Sequence, residues 1–351
     1  MKICYFGIYD PDYSRNRVFI QGLRVNGVEV IECRSAKFGI AKYIDLIRKH
    51  AALRGSYDAM VVGYPGQQAA IVARLITRKP IIFNALVSFY DSLVFDRKTV
   101  GRYSIGSSYY WLLDWFSCRL STLVILDTEA YIEYFAKTFR IPRRKFRRVF
   151  IGSDPDVVHP LPRTGSDAFT VHFHGFFNPL QGVPYVIRAA KLLENEGIRF
   201  NILGQGPGDR EFRTLAKDLG AENIRFMDLV PYEKLKEIMA EADVCLGVFG
   251  DTDKARRVIP NKVFEGLAAR MAVITSRTPA VEELLTDRTH ALFCAISDAE
   301  DLAAKILELK RDPDLRARIA EGGYRLFTEQ LTPQVLGREV KDIIMTLTNP
   351  Q

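Results

Sequence analysis

The sequence predicts an α/β protein of two successive units, each a mainly parallel sheet covered by helices. Three observations carry this reading. Short apolar runs of strand type alternate with helical segments along the chain. The alternation breaks at Gly152–Ser166 (GSDPDVVHPLPRTGS), a linker rich in Gly, Pro, Ser and Asp, and starts afresh behind it. At 351 residues the chain is long enough for two sizeable cores.

In the first half Lys2–Gly7 reads as a strand and the segment up to Val25 as a helix, with a strand at Val28–Cys33. The loop between the first two, IYDPDYSRN, has no GxGxxG, so a dinucleotide fingerprint is missing. Arg15 and Asn16 stand near the helix entry, where an anion is favoured, and are expected to bind an acceptor; a capped, solvated turn is the equal alternative. A helix at Tyr43–His50, a strand at Ala59–Tyr64, a helix at Gln67–Thr77 and a strand at Pro80–Asn84 follow. Beyond lies a long polar and aromatic loop, Ser88–Arg102. Ligands of open α/β sheets gather outside the carboxyl ends of strands, which makes Ser88 and Asp91 acceptor-binding candidates and Asp91 a catalytic base. Tyr109–Leu120 (YYWLLDWFSCRL) reads as an aromatic helix, with Trp111, Trp115 and Phe116 assigned to the core rather than to a bilayer interface. The densest charge, Arg140–Arg148 (RIPRRKFRR), reads as a basic turn before a strand at Val149–Ile151. It can also meet an anionic membrane surface.

In the second half strands are expected at Phe169–His174, Arg199–Leu203, Ile224–Met227, Val244–Val248 and Ala272–Thr275. Gly204, Gly206 and Gly208 follow the second of these strands and read as a close backbone turn. Arg256–Leu285 carries the most chemistry. Asn261 is read as the cap of a helix whose apolar stripe runs Val263, Phe264, Leu267, Ala268 and Met271. Lys262 and Glu265, three apart, share another face and can point at one ligand. A carboxylate accepts the hydrogen bonds of a ribose diol, and a lysine near a helix start attracts phosphate. A surface ion pair is the bland alternative. Gly266 inside the helix suggests close approach of something. Thr278, with Pro279 behind it, caps the next helix, whose amides form a second expected phosphate cradle.

Composition bounds the function. Hydrophobic residues make up 48% and charged residues 26%, as in a globular protein. No apolar run reaches membrane-spanning length, and Met1–Phe6 reads as a strand rather than a signal peptide. The five cysteines are scattered without a CxxC pair, as expected of reduced residues in a cytoplasmic protein, peripheral at most on the inner face of a membrane. No metal site is expected: His172 and His174 alternate along a strand and can share a face, but no third ligand accompanies them. The net charge of +7 favours anionic partners. Nucleic acid is not among them, since no reader motif accompanies the basic run.

PNKVFEGLAARMAVITSRTPAVEELL resembles the donor-nucleotide region of GT-B glycosyltransferases, most closely the large family 4 of nucleotide-sugar enzymes. GFFNPLQGVPYVIRAAKLL, NILGQGPG and IGSD support the match. The resemblance implies two Rossmann-like domains facing each other across a cleft. Residues 1–152 would form the acceptor domain, with the last helix, 333–351, packing back on it. Residues 153–332 would form the donor domain. It implies transfer of a sugar from a nucleoside-diphosphate-sugar co-substrate to a saccharide, polysaccharide or lipid-linked acceptor, with retention of configuration and with neither metal nor other cofactor. Glu265 would hold the ribose. The donor set would be completed by the loop Gly175–Gly182 under the diphosphate (Gly175, Asn178, Gln181) and by Gly204, Asn261 and Thr278. Two departures stand out. Arg257 occupies the position of the first glutamate of the family's paired-glutamate motif, eight residues before Glu265. Phe176 and Gln181 replace the Arg and Lys that clamp the diphosphate. Lys262, Arg256 and Arg257 are the expected substitutes, because the leaving group gains negative charge. A nucleotide-sugar epimerase and a non-catalytic binding subunit are the alternatives.

Overall fold

The computed structural model describes residues 1–164 and 168–348. The end of the expected linker at Gly165 and Ser166, and the end of the expected last helix beyond Thr348, lie outside the described residues. The chain divides into two units: Met1–Gly152 together with the C-terminal stretch from Leu331, and Ser153–Gln330.

The first unit runs β1 (Lys2–Gly7), α1 (Ser14–Val25), β2 (Glu29–Arg34), α2 (Ala41–Ala52), β3 (Ala59–Val62), α3 (Gln67–Ile76), β4 (Ile81–Asn84), α4 (Ile105–Leu120), β5 (Leu123–Leu126), α5 (Glu129–Phe139) and β6 (Phe146–Arg148). The strands form one parallel sheet in the order β2-β1-β3-β4-β5-β6. Strands β3, β4 and β5 are buried at every residue, as a sheet covered on both faces requires. Right-handed crossovers put α2, α3, α4 and α5 side by side on one face and α1 on the other.

The second unit runs β7 (Phe169–Phe176), α6 (Val183–Leu192), β8 (Ile198–Gln205), α7 (Asp209–Leu219), β9 (Ile224–Met227), α8 (Leu235–Met239), β10 (Val244–Leu246), α9 (Asn261–Ala268), β11 (Ala272–Ser276), α10 (Pro279–Glu282), β12 (Leu292–Cys294), α11 (Ala299–Arg311) and α12 (Pro313–Gln330). Its parallel sheet is ordered β12-β11-β10-β7-β8-β9. The chain then returns to the first unit as α13 (Pro333–Thr348), which lies along α1. The two helices touch backbone to backbone: a Cβ on Gly337 would stand 2.2 Å from the carbonyl oxygen of Gly22.

Several expectations are corrected. The basic run is not a turn before a strand at Val149–Ile151; its last residues are themselves the edge strand β6, paired to β5. Lys145 binds the carbonyls of Cys118 and Arg119 at the end of α4, at 3.3 and 2.7 Å, as a cation at a helix C-terminus should. The loop Ser88–Arg102 contains a π-helical turn, Asp91–Asp96, and α4 starts four residues ahead of Tyr109, capped by Ser104. The aromatic residues of α4 are not all core. Trp111 and Trp115 are half-buried and stacked, whereas Tyr109 and Phe116 are exposed. The short strand β12 carried no periodic signal. All five cysteines are free and buried.

Candidate functional site

Strand order in the second unit reverses at β7: β7 to β8 advances one way, β10 to β12 the other. The loop leaving β7 and the loop leaving β10 therefore diverge to opposite faces, which opens a crevice at the strand ends. The residues gathered here are the second unit's own.

Two buried chains of polar atoms meet in it. On β7, His172 and His174 are two residues apart, so both side chains fall on one face. His172 Nε2 donates to His174 Nδ1 at 2.9 Å, and His174 Nε2 donates to Glu265 Oε2 on α9 at 2.7 Å. With the protons so placed, His172 Nδ1 is an unprotonated buried nitrogen without a hydrogen-bond partner. Burial, then His174 and Lys262, hold the His172 pKa well below the usual histidine range. The relay fixes the Glu265 carboxylate by one oxygen, and Oε1 has no hydrogen-bond partner among the described residues.

The second chain starts at Lys262, one helical turn away. Its Nζ donates to Gln181 Oε1 at 2.5 Å and sits 3.5 Å from the centre of the Phe173 ring. Among the described residues no carboxylate lies within ion-pairing distance of it. Burial pulls its pKa well below the usual lysine range, against the opposing influence of Cys245 and Glu265. The alternative reading of Lys262 and Glu265 as a surface pair does not hold; both are buried and each has its own partner. Gly175, at φ +150°, makes room for this cation: a Cβ there would stand 3.0 Å from Nζ. Asn178, in the same loop, is buried with its Oδ1 lacking a hydrogen-bond partner.

The remaining sequence candidates divide. Gly204 is a packing glycine, since a Cβ would meet the carbonyl oxygen of Gly175 at 2.1 Å; it sets the shape of the loop from beneath. Gly266 is also explained by packing, because a Cβ would come 2.7 Å from Val273 and 3.3 Å from Cys245 of the sheet below α9. Asn261 is the first helical residue and makes no capping bond; Pro260 holds the cap position. Thr278 does cap α10, accepting from Val281 N at 3.2 Å. The expected second phosphate cradle is closed, for Thr278 takes the Val281 amide and the Arg256 carbonyl takes the Ala280 amide. Arg256 is exposed and Arg257 half-buried on the loop between β10 and α9.

In the first unit Arg15 and Asn16 are interior. Arg15 donates to Asn84 Oδ1 at 3.0 Å and to the carbonyls of Val149 and Phe150 at 2.8 and 2.6 Å. Asn16 accepts from the Tyr5 hydroxyl and Tyr64 N and donates to the carbonyls of Asp10 and Tyr64. Both are buried, and the fold engages both ends of Asn16 and two of the three Arg15 nitrogens, leaving Arg15 Nη2 buried without a hydrogen-bond partner. The Ser88 hydroxyl donates to Asp114 Oδ2 at 2.7 Å and accepts from Asp91 N at 2.9 Å, and Asp91 is buried at the start of the π-helical turn. Asp114, on α4, also receives the amides of Phe89 and Tyr90, and burial pushes its pKa up to about 6. His174 is the residue the sequence reading undervalued. Its signal was the two-residue spacing of the histidines, which marks a shared face but names no partner.

Residues 162–326 match the family model of glycosyl transferases group 1. A putative colanic acid biosynthesis glycosyltransferase WcaL of Salmonella typhimurium is 26% identical over 173 residues, covering 48% of this chain and 42% of that protein. The lipopolysaccharide core biosynthesis glycosyltransferase LpsD of Rhizobium meliloti is 29% identical over 170 residues, covering 48% and 47%. The matched part thus spans less than half the length of these relatives. Among solved structures, Anabaena HepE with UDP and glucose superposes with a TM-score of 0.75 at 14% identity, over 99% of this chain and 100% of that one. Sucrose-phosphate synthase from Thermosynechococcus elongatus gives 0.77 at 12% identity, over 99% of both. The similarity to group 1 glycosyl transferases thus falls on residues 162–326 of the second unit, and the chain as a whole has the GT-B fold.

Proposed function

We propose that the protein transfers a sugar from a nucleoside-diphosphate-sugar to a saccharide, polysaccharide or lipid-linked acceptor, without a metal ion and with retention at the anomeric carbon. The observation that carries this is the convergence of a relay-held carboxylate, Glu265, and a buried cation without a carboxylate partner, Lys262, under one glycine-bearing loop. Glu265 Oε1 is the acceptor for a ribose hydroxyl. Lys262 is the donor for a diphosphate oxygen, a charge-assisted bond that strengthens as the leaving group gains charge. It stands in for the Arg and Lys replaced by Phe176 and Gln181, with Arg256 and Arg257 on the neighbouring loop adding positive potential. Asn178 and Gln181 complete the diphosphate contacts. On the acceptor side Asp91 is the candidate base. The relatives' names speak of colanic acid and lipopolysaccharide core. A solved structure of the same fold holds UDP. Envelope glycans and a uridine nucleotide are therefore the first acceptor and donor to try.

The test is transfer and donor hydrolysis with Glu265→Ala and Lys262→Ala, beside a thermal-shift screen of nucleoside diphosphates. Turnover unchanged in both variants would sink the assignment. A donor that binds wild type at 100 times its Kd should stabilise it by about 2.7 kcal/mol. Conversion of donor to a new free nucleotide-sugar, with no acceptor present, would select an epimerase instead.

A further inference from the structure

The first unit carries an exposed apolar face that no part of its fold covers. On α4, Ile105, Tyr109, Leu112 and Phe116 are 92%, 51%, 45% and 43% exposed. Their spacing of four, three and four residues places them in one narrow stripe along the helix. Exposed Arg119 follows three residues on, in line with the stripe. α4 has a single acidic residue, Asp114, and that is turned inward against Ser88. The exposed face therefore bears no negative charge. On the same side of the sheet, beyond α3, Phe38, Ile40, Ile44 and Ile47 form a second exposed stripe at the start of α2, flanked by Lys37 and Lys42.

Basic residues crowd the rim of the α4 stripe. Arg102 stands just before the helix, and the Arg140–Arg148 segment is tied to its far end through Lys145. Residues 97–148 contain eleven Lys and Arg against four Asp and Glu, an excess of seven that equals the net charge of the whole chain. Two of those four acids, Asp114 and Asp127, are buried.

We propose that the outer face of α4, with Arg102, Arg119 and the exposed arginines of the Arg140–Arg148 segment, docks the protein peripherally on an anionic lipid surface. An apolar stripe on an amphipathic helix inserts at the headgroup boundary, and a basic rim adds attraction to anionic headgroups. A second copy of the chain is the weaker occupant, because self-pairing would press this concentrated positive charge against itself. No helix of the described residues is long and apolar enough to cross a membrane, so the attachment is to the surface. The inference rests on the first unit alone and stands whether or not the donor site turns over.

The chain has two tryptophans, Trp111 and Trp115, both on α4, which makes intrinsic fluorescence a reporter of this helix alone. Flotation with vesicles of phosphatidylcholine containing phosphatidylglycerol is expected to carry the protein, and brominated lipid to quench its fluorescence. Pure phosphatidylcholine should do neither. Leu112→Ser with Phe116→Ser, and separately Arg144→Glu with Arg147→Glu, should each cut the bound fraction about tenfold while the melting temperature stays put. Flotation independent of anionic lipid, or no flotation, overturns the proposal. So does a wild-type dimer in light scattering that the serine pair dissolves, since the stripe would then face a second copy.

Discussion

Arg15 and Lys262 are both buried basic side chains near the strand reversal of a parallel sheet, one in each unit, yet they are spent differently. Arg15 gives hydrogen bonds to one side chain and two main-chain carbonyls, within the field of Asp127. Burial lowers its pKa only to about 10, so it stays charged at neutral pH. Lys262 has one amide oxygen and the face of a ring. Its pKa is pulled well below the usual range by the same cause. The neighbouring residues repeat the contrast: Asn16 has both side-chain ends engaged, whereas Asn178 keeps a buried oxygen without a partner. Burial of charge does not mark a binding site by itself. Arg15 leaves only Nη2 without a partner; a basic group held by a single amide oxygen is the better candidate, because the fold bears a desolvation cost that a ligand can offset.

The comparison can be broken by exchanging the roles of the two cations. Lys262→Met should cost about a thousandfold in kcat/KM for donor turnover and abolish nucleotide-induced stabilisation. It should leave the ligand-free protein as stable as wild type or more so, because a poorly compensated ammonium is gone. Calorimetry with and without nucleotide reads both. Arg15→Met should do the reverse: destabilise by about 3 kcal/mol in urea titration, since it strands buried carbonyls, and leave nucleotide affinity unchanged in the folded fraction. If Arg15→Met weakened nucleotide binding at full folding, the division between the two cations would fall.

Finer tests sharpen the site itself. His174→Phe should raise the donor KM about tenfold with a smaller change in kcat, because Glu265 loses its orientation and not its charge. Equal loss in both would instead make His174 part of the chemistry. His172 provides the smallest effect and a pH sign. Its folded pKa lies below the unfolded value near 6.5, so at lower pH the unfolded chain takes up a proton that the folded chain refuses. The stability it contributes is present above about pH 6.5 and is lost as pH falls, by at most about 1.4 kcal/mol per pH unit. His172→Phe should flatten that part of the stability curve between about pH 6.5 and 5.

The alternation of apolar runs and helices determined by itself that this is a parallel α/β protein in two units, because a strand buried on both faces must be apolar throughout and a crossover must be helical. The period of a strand also put His172 and His174 on one face, and the spacing of α9 put Lys262 and Glu265 within one turn. Local spacing cannot say which of these groups is paired. His174 meets Glu265 across 91 residues, Lys262 meets Gln181 across 81, and Arg15 reaches Val149 across 134. Polar and charged residues at a helix entry became a strut in Arg15 and Asn16 and the proposed site in Lys262 and Glu265. Of the amides at the start of α10, Thr278 closes one locally, as its cap position implies, and the Arg256 carbonyl closes another from the preceding loop. Tertiary structure decided these outcomes because a hydrogen bond's worth depends on what else competes for its donor and acceptor, and the competitors arrive from distant parts of the chain.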